Sequence, residues 1–166
     1  MISGCLKTDM PFGVLLIRDG DETGAARTHA VGTLARIVDW YQGSDGLLGV
    51  TAAGERRFRL LEVGIQPDGL NVGEVEMLPD DPEIALPDEF KPLVAILQGV
   101  LDDLGLLYEK LDRRYDDAGW VGFRFAEVLP IDNLQKQACL ELQDPLQRLR
   151  VLRSLLKDVR RDQLQS

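Results

Sequence analysis

A chain of 166 residues with 45% hydrophobic and 28% charged residues is too apolar to be disordered, and a compact chain of this length buries roughly 70% of its extended-chain surface. Its formal net charge of −9 argues against a partner held mainly through phosphates, because such binding needs clustered Lys and Arg. No run approaches the ~20 apolar residues of a membrane span, and the N-terminus lacks a basic stretch followed by an apolar core, which points to the cytoplasm.

The predicted elements begin at Pro11. The apolar run Phe12-Gly13-Val14-Leu15-Leu16-Ile17 is consistent with a strand buried on both sides. Asp19 to Thr28, rich in Gly, Asp and Thr, reads as a loop. Three extended runs follow between His29 and Leu61. In the first, Val31, Thr33, Ala35 and Ile37 share one face at period two, with Leu34 and Arg36 on the other. Asp45-Gly46 and Ala53-Gly54 supply turn residues, so the runs should fold as an antiparallel meander. Gln66-Pro67-Asp68-Gly69 makes a further turn before a strand over 70–78. Five strands in so short a stretch suggest a small barrel or curled sheet.

Pro79-Asp80-Asp81-Pro82-Glu83 ends the strands, since two prolines and three carboxylates forbid both helix and central strand. Beyond it the hydrophobic period changes. Asp88 is placed to cap a helix whose stripe is Phe90, Leu93, Val94, Leu97, Val100, Leu101 and Leu104, ended or bent by Gly105. A shorter helical stretch through Tyr108 and Leu111 follows. Asp117 should cap a helix holding Trp120, Val121, Phe123 and Ala126. Asp132 should cap the next, with Gln135 completing a capping box and Ile131, Leu134, Ala138 and Leu142 facing inward. Asp144-Pro145 opens the last helix, lined by Leu146, Leu149, Leu152, Leu156 and Val159. Strands followed by helices is the α+β order. The implied division is a β subdomain over 1–79, a linker over 80–87 and a helical subdomain over 88–166.

These residues resemble the N-terminal, substrate-binding domain of Lon proteases and its free-standing relatives. The resemblance is carried by Pro11 to Ile17, Gly32-Thr33-Leu34-Ala35-Arg36-Ile37, Asp45-Gly46 and Gly54-Glu55-Arg56-Arg57-Phe58. It continues through Trp120-Val121-Gly122, Ala126-Glu127-Val128-Leu129-Pro130, Lys136-Gln137 and Asp144 to Leu149. It implies a PUA-like β pseudobarrel followed by a C-terminal helical bundle, and a role in binding polypeptide rather than in catalysis. The sequence has no Gly-rich stretch ending in Gly-Lys-Ser/Thr, and none of its serines lies in a segment like the family's peptidase motif, so ATP hydrolysis and proteolysis are not expected of it. Relatives usually carry an upstream strand pair before a segment like Met1 to Lys7. The expectation is therefore a misassigned start or a truncation, leaving an open sheet edge through which the chain could form a homo-oligomer.

The residues themselves offer little chemistry. His29 is the single histidine, which removes a histidine triad or multi-histidine metal site and leaves a strand-end residue. Cys5 and Cys139 are too few and too isolated for a disulfide framework or a zinc site. Asp80, Asp81 and Glu83 lack the spacing of a calcium loop and read as a solvated linker. Glu127 and Asp144 are expected to cap helices or to pair with Arg124 or Arg148. The acidic stretch from Glu74 to Glu89 and the basic one from Arg148 to Arg161 read as solvated faces. No catalytic residue, cofactor or metal is assigned. Trp40 and Tyr41, just before the Gln42 to Gly46 turn, are either a lid on the local core or an exposed anchor for a partner. Trp40, Tyr41 and Phe58 are the expected polypeptide contacts, and exposed apolar segments of unfolded chains the expected ligand. The alternative is a PUA-like RNA-associated or structural module using Arg56, Arg57 and Arg59, which the net charge disfavours. No membrane partner is expected.

Overall fold

The computed structural model describes residues 10–20, 26–43, 47–67, 69–108 and 111–163. The expectations resting on Cys5, on the Met1 to Lys7 segment, on the Asp45-Gly46 turn and on Asp68 lie outside the described residues. The protein is α+β, with an antiparallel sheet in the first half and helices in the second. Its contacts divide it into two compact units, Met1–Asp80 and Asp81–Ser166.

In the first unit β1 (Phe12–Val14), β4 (Val31–Gln42), β5 (Leu48–Ile65) and β6 (Asn71–Met77) form a four-stranded sheet in the order β1-β4-β5-β6. β2 (Ile17–Asp19) and β3 (Arg27–Thr28) form a separate pair. The single buried strand expected over 12–17 is thus two short strands with different partners, and Val14 is half exposed. The expected Ala53-Gly54 turn is also absent, because β5 runs straight through it for 18 residues. What interrupts the ladder there is a bulge. Thr33 pairs with Arg57 and Ala35 with Gly54, so Leu34 faces two residues of β5. A bulge gives the local bend and twist that the glycine suggested without reversing the chain. The predicted faces of β4 hold, with Val31 and Ala35 buried.

Phe58 is the anchor of this sheet. It lies opposite Gly32 and Met77 in the ladder, and its ring crowds the places where Cβ atoms of Gly13 and Gly32 would stand, at 3.0 and 2.9 Å. At Gly32 a Cβ would also lie 2.7 Å from a Leu15 methyl. Glycine is required here for close approach rather than for an unusual backbone angle.

In the second unit a short 3-10 turn, Asp88–Phe90, leads into α1 (Lys91–Leu104). Asp88 does not cap α1 as expected. Its carboxylate pairs with Lys91 Nζ at 2.6 Å, and that hydrogen bond holds its pKa below the usual value. Leu93, Leu97 and Leu101 are buried one turn apart, and α1 ends at Gly105 with φ 54°. α2 (Ala118–Val128) is capped by Asp117, which accepts hydrogen bonds from the Gly119 and Trp120 amides. α3 (Asn133–Glu141) carries the full capping box of Asp132 and Gln135. Asp144 caps α4 (Pro145–Gln163) through the Leu146 amide. The core joins Phe90, Leu97, Leu101, Val121, Phe125, Leu149 and Leu152, each worth about 1.5–3 kcal/mol relative to exposure.

Two details of this unit depart from expectation. α3 turns Gln137 and Cys139 inward, while Leu134 is 65% exposed and Ala138 faces solvent. In addition, the stretch expected as a linker is bound into the helical unit. The Ile84 carbonyl accepts from the Ala118 amide, the Leu86 amide donates to the Asp116 carbonyl, and both side chains pack on the core.

Asp81 explains why that stretch is fixed. Its carboxylate meets the guanidinium of Arg148, which is fully buried, at 2.5 Å. Arg148 also donates to the carbonyls of Cys139 and Leu142 and lies 3.6 Å above the Phe123 ring centroid. One side chain therefore satisfies carbonyls at the end of α3, stacks on α2 and holds the strap, using the planar fork that lysine lacks. Of the two roles expected for Asp144, a helix cap or a partner of Arg148, it takes the cap, and the acidic partner of Arg148 is Asp81. Arg124 pairs with Glu127 at 2.7 Å, as expected.

Candidate functional site

The free end of the β4–β5 hairpin is a two-stranded ribbon in which Trp40 pairs with Val50, Tyr41 with Gly49 and Gln42 with Leu48. A second bulge, at Val38, sets its geometry. Ile37 pairs with Ala52 and Asp39 with Thr51, so the alternation of β4 slips by one residue. Simple alternation would put Trp40 opposite Ile37. The slip puts it on the same face as Val31, Ala35 and Ile37, beyond the buried part of that face. The Asp39 carboxylate accepts from the Trp40 amide at 2.8 Å and gives the bulge a local side-chain bond.

Trp40 is 59% exposed and Tyr41 64%, so neither is a lid on the core. Val38 and Leu47 beside them are equally open. Tyr41 lies across Gly49, where a Cβ would come within 2.6 Å of three of its ring carbons. The missing side chain lets the ring lie along the ribbon, and cross-strand contact of this kind steadies an otherwise marginal hairpin. The ribbon thus exposes apolar side chains on both faces, Trp40 on one and Tyr41 on the other by alternation, with Val38 and Leu47 also open, the residue types that bury against an apolar partner. Val38 and Leu47 were missed in the sequence because the bulge that exposes Val38 has no signature there.

Phe58, the third expected contact, is 2% exposed. Its ring fills the sheet interior and reaches no partner from that position.

The arginines considered for RNA are engaged within the first unit. Arg57 is buried and points Nη2 at the Pro79 carbonyl, 3.5 Å away, while Arg56 faces Asp80 at 3.5 Å and Arg59 faces Glu76 at 3.6 Å. The acidic stretch from Glu74 to Glu89 is largely neutralised by such pairs, with Arg153 on Glu89 at 2.8 Å.

Among the described residues no three His, Cys, Asp or Glu side chains gather as a metal site would require, and no helix is long and apolar enough to cross a membrane. His29 follows β3, where its amide donates to the Leu16 carbonyl. Cys139 is buried, and burial pushes its thiol pKa up against a smaller opposing pull from Arg148. Tyr108 donates to Glu127 at 2.8 Å, and burial followed by this bond raises its pKa to about 12. Both groups belong to the packed helical unit and neither has the depressed pKa of an activated nucleophile.

Comparison with known proteins gives a consistent result. The family described as ATP-dependent protease La (LON) substrate-binding domain matches over residues 1–158. Among solved structures, the Lon N-terminal domain protein from Xanthomonas campestris is similar at 35% identity and a TM-score of 0.72, over 92% of this chain and 80% of that one. The N-terminal domain of Mycobacterium avium complex Lon protease is similar at 23% identity and a TM-score of 0.55, over 84% and 74% of the two chains. At that identity the likeness is one of fold. Comparison with curated proteins finds no match.

Proposed function

Because the chain belongs to the family of LON substrate-binding domains, which it matches over residues 1–158, we propose that it is a non-catalytic, cytoplasmic protein that holds exposed apolar segments of polypeptide chains. The observation that carries this reading is the exposure of four large apolar side chains, Val38, Trp40, Tyr41 and Leu47, along the β4–β5 ribbon. Trp and Tyr contribute large apolar area with few rotatable bonds, so little ordering entropy opposes their burial. The flanking strands offer backbone groups to an extended ligand. Selectivity should be broad, since a short apolar surface discriminates by size and exposure rather than by a set of placed polar groups.

The reading is tested by titrating the protein into a fluorescently labelled, permanently unfolded polypeptide and following anisotropy. Saturable binding is expected, with the labelled chain recovered at unchanged mass. Replacing Trp40 and Tyr41 by serine should weaken binding at least tenfold, equivalent to about 1.4 kcal/mol. Leu134→Ser, at an exposed leucine of the helical unit, should leave it unchanged. Cleavage of the labelled chain, or salt-sensitive RNA binding with no polypeptide binding, would contradict the reading.

A further inference from the structure

We propose that the outer edge of β6 is a second polypeptide-docking surface, which takes an extended segment alternating apolar with basic residues. The proposal rests on the polypeptide-binding reading above and names a partner chemistry for a different part of the same unit.

β5 outruns β4. The first residue of β4, Val31, pairs with Arg59, and the Leu60 amide reaches the Ala30 carbonyl, whereas residues 62–65 pair with β6. β6 is the last strand of the sheet. Among the described residues, its outer side is a row of backbone donors and acceptors with no neighbouring strand, which is a template for strand addition.

The two faces of this hairpin differ in chemistry. Val63 lies opposite Gly73 and Ile65 opposite Asn71, so by alternation Val63, Ile65, Gly73 and Val75 share one face. Val63 is 61% exposed, Ile65 65% and Val75 38%. On the other face Glu62 lies directly opposite Glu74, which is flanked along β6 by Glu76 on one side and by Val72, 46% exposed, on the other. Like charges directly opposed in a ladder are destabilising, and neither Glu62 nor Glu74 has a cationic partner among the described residues. From Leu60 to Glu76 the sequence contains no Lys or Arg. Of these three glutamates, Glu76 is paired among the described residues, to Arg59 at 3.6 Å.

That charge decides the occupant. A second copy pairing through the same edge would set one acidic face beside another and add to the repulsion. A strand bringing Lys or Arg beside Glu74 relieves it, the long side chain reaching toward Glu62 on the next strand, and the fixed alternation of the added strand then puts its intervening residues beside Gly73 and Val75, with Val63 and Ile65 one strand further in. The ligand is therefore defined by period two, not by composition alone.

The test uses the full chain and three short peptides of equal length: alternating Val and Lys, alternating Val and Glu, and a Val block joined to a Lys block. The alternating Val/Lys peptide should bind at low salt at least tenfold more tightly than the other two, and the amides of residues 71–77 should gain protection from hydrogen exchange. Glu62→Lys/Glu74→Lys should reverse the preference toward Val/Glu, and Glu62→Gln/Glu74→Gln should abolish it. In the Trp40→Ser/Tyr41→Ser protein, which lacks the ribbon contacts, the preference for the Val/Lys peptide and the amide protection over residues 71–77 should both persist. Equal binding of the blocked peptide to the Trp40→Ser/Tyr41→Ser protein, binding without amide protection, or self-association lost on substituting Glu62 and Glu74 overturns the proposal. Failure here with unfolded-chain binding intact removes the β6 edge alone, whereas failure of both removes the polypeptide reading.

Discussion

Arg148 and Asp81 show how one buried pair can hold several elements. A buried ion pair rarely adds net stability, but removing one partner leaves an uncompensated charge and typically costs about 3–5 kcal/mol. Arg148→Met should lose that much in urea unfolding followed through Trp120 with Trp40 replaced by Phe. Arg148→Met/Asp81→Leu should recover part of it. The remaining loss belongs to the Cys139 and Leu142 carbonyls that Arg148 also satisfies. A double variant no more stable than the single one would show that the carbonyls carry the whole effect. Tyr108 gives a second prediction. Its folded pKa is raised to about 12 from an unfolded value near 10, so the folded state keeps its proton longer. Its contribution to stability is complete below pH ~10 and is lost as pH rises from there through about 12. Absorbance titration of a Tyr41→Phe/Tyr115→Phe protein should show the late transition. Glu127→Gln should bring it down only partway, because burial is the larger cause. The sequence identified Asp117, Asp132 and Asp144 as caps because capping is local, three residues at most. It did not identify Asp81 as the partner of Arg148, since that contact spans 67 residues and the flanking prolines read as a linker.

At the level of elements, legibility followed the length of the pattern. α1 and α4 repeat their apolar stripe over several turns and pack as the spacing predicts, except that Leu104, in the last turn of α1, is exposed. α3 is nine residues long, and there Leu134 and Ala138 compete with Gln137 and Cys139 for the interior. Packing decided in favour of the pair that brings the end of α3 to Arg148. The strands show the same limit, because a bulge shifts every later residue to the other face and carries no fixed sequence signal. Gly54, which resembles a turn residue, sits beside such a bulge, and Val38 forms another. Two glycines test the packing. Gly32→Ala should destabilise by about 1–3 kcal/mol, since its Cβ would press on Leu15, on Phe58 and on the Val14 carbonyl. Gly99→Ala, in mid-helix with no atom within 4 Å of the added carbon, should stabilise by about 1 kcal/mol. Thermal unfolding of both variants checks the signs, and a stabilised Gly32→Ala would mean that the Phe58 cradle is looser than described.

For the whole molecule, the α+β order and the family were legible because many weak motifs fall in sequence along nearly the entire chain. The proposed binding surface was legible only in part. Trp40 and Tyr41 stand out as aromatics beside a turn, but the residue types alone do not distinguish a lid from an anchor, and nothing in the sequence separates them from Phe58, which is buried. The central claim is that the β4–β5 ribbon takes up apolar polypeptide, and Trp40 itself reports on it. In a Trp120→Phe protein Trp40 is the single tryptophan, and its emission should shift to the blue in proportion to the polypeptide bound, as water is excluded from the indole. Binding that saturates by anisotropy while the Trp40 emission stays unchanged would contradict the account.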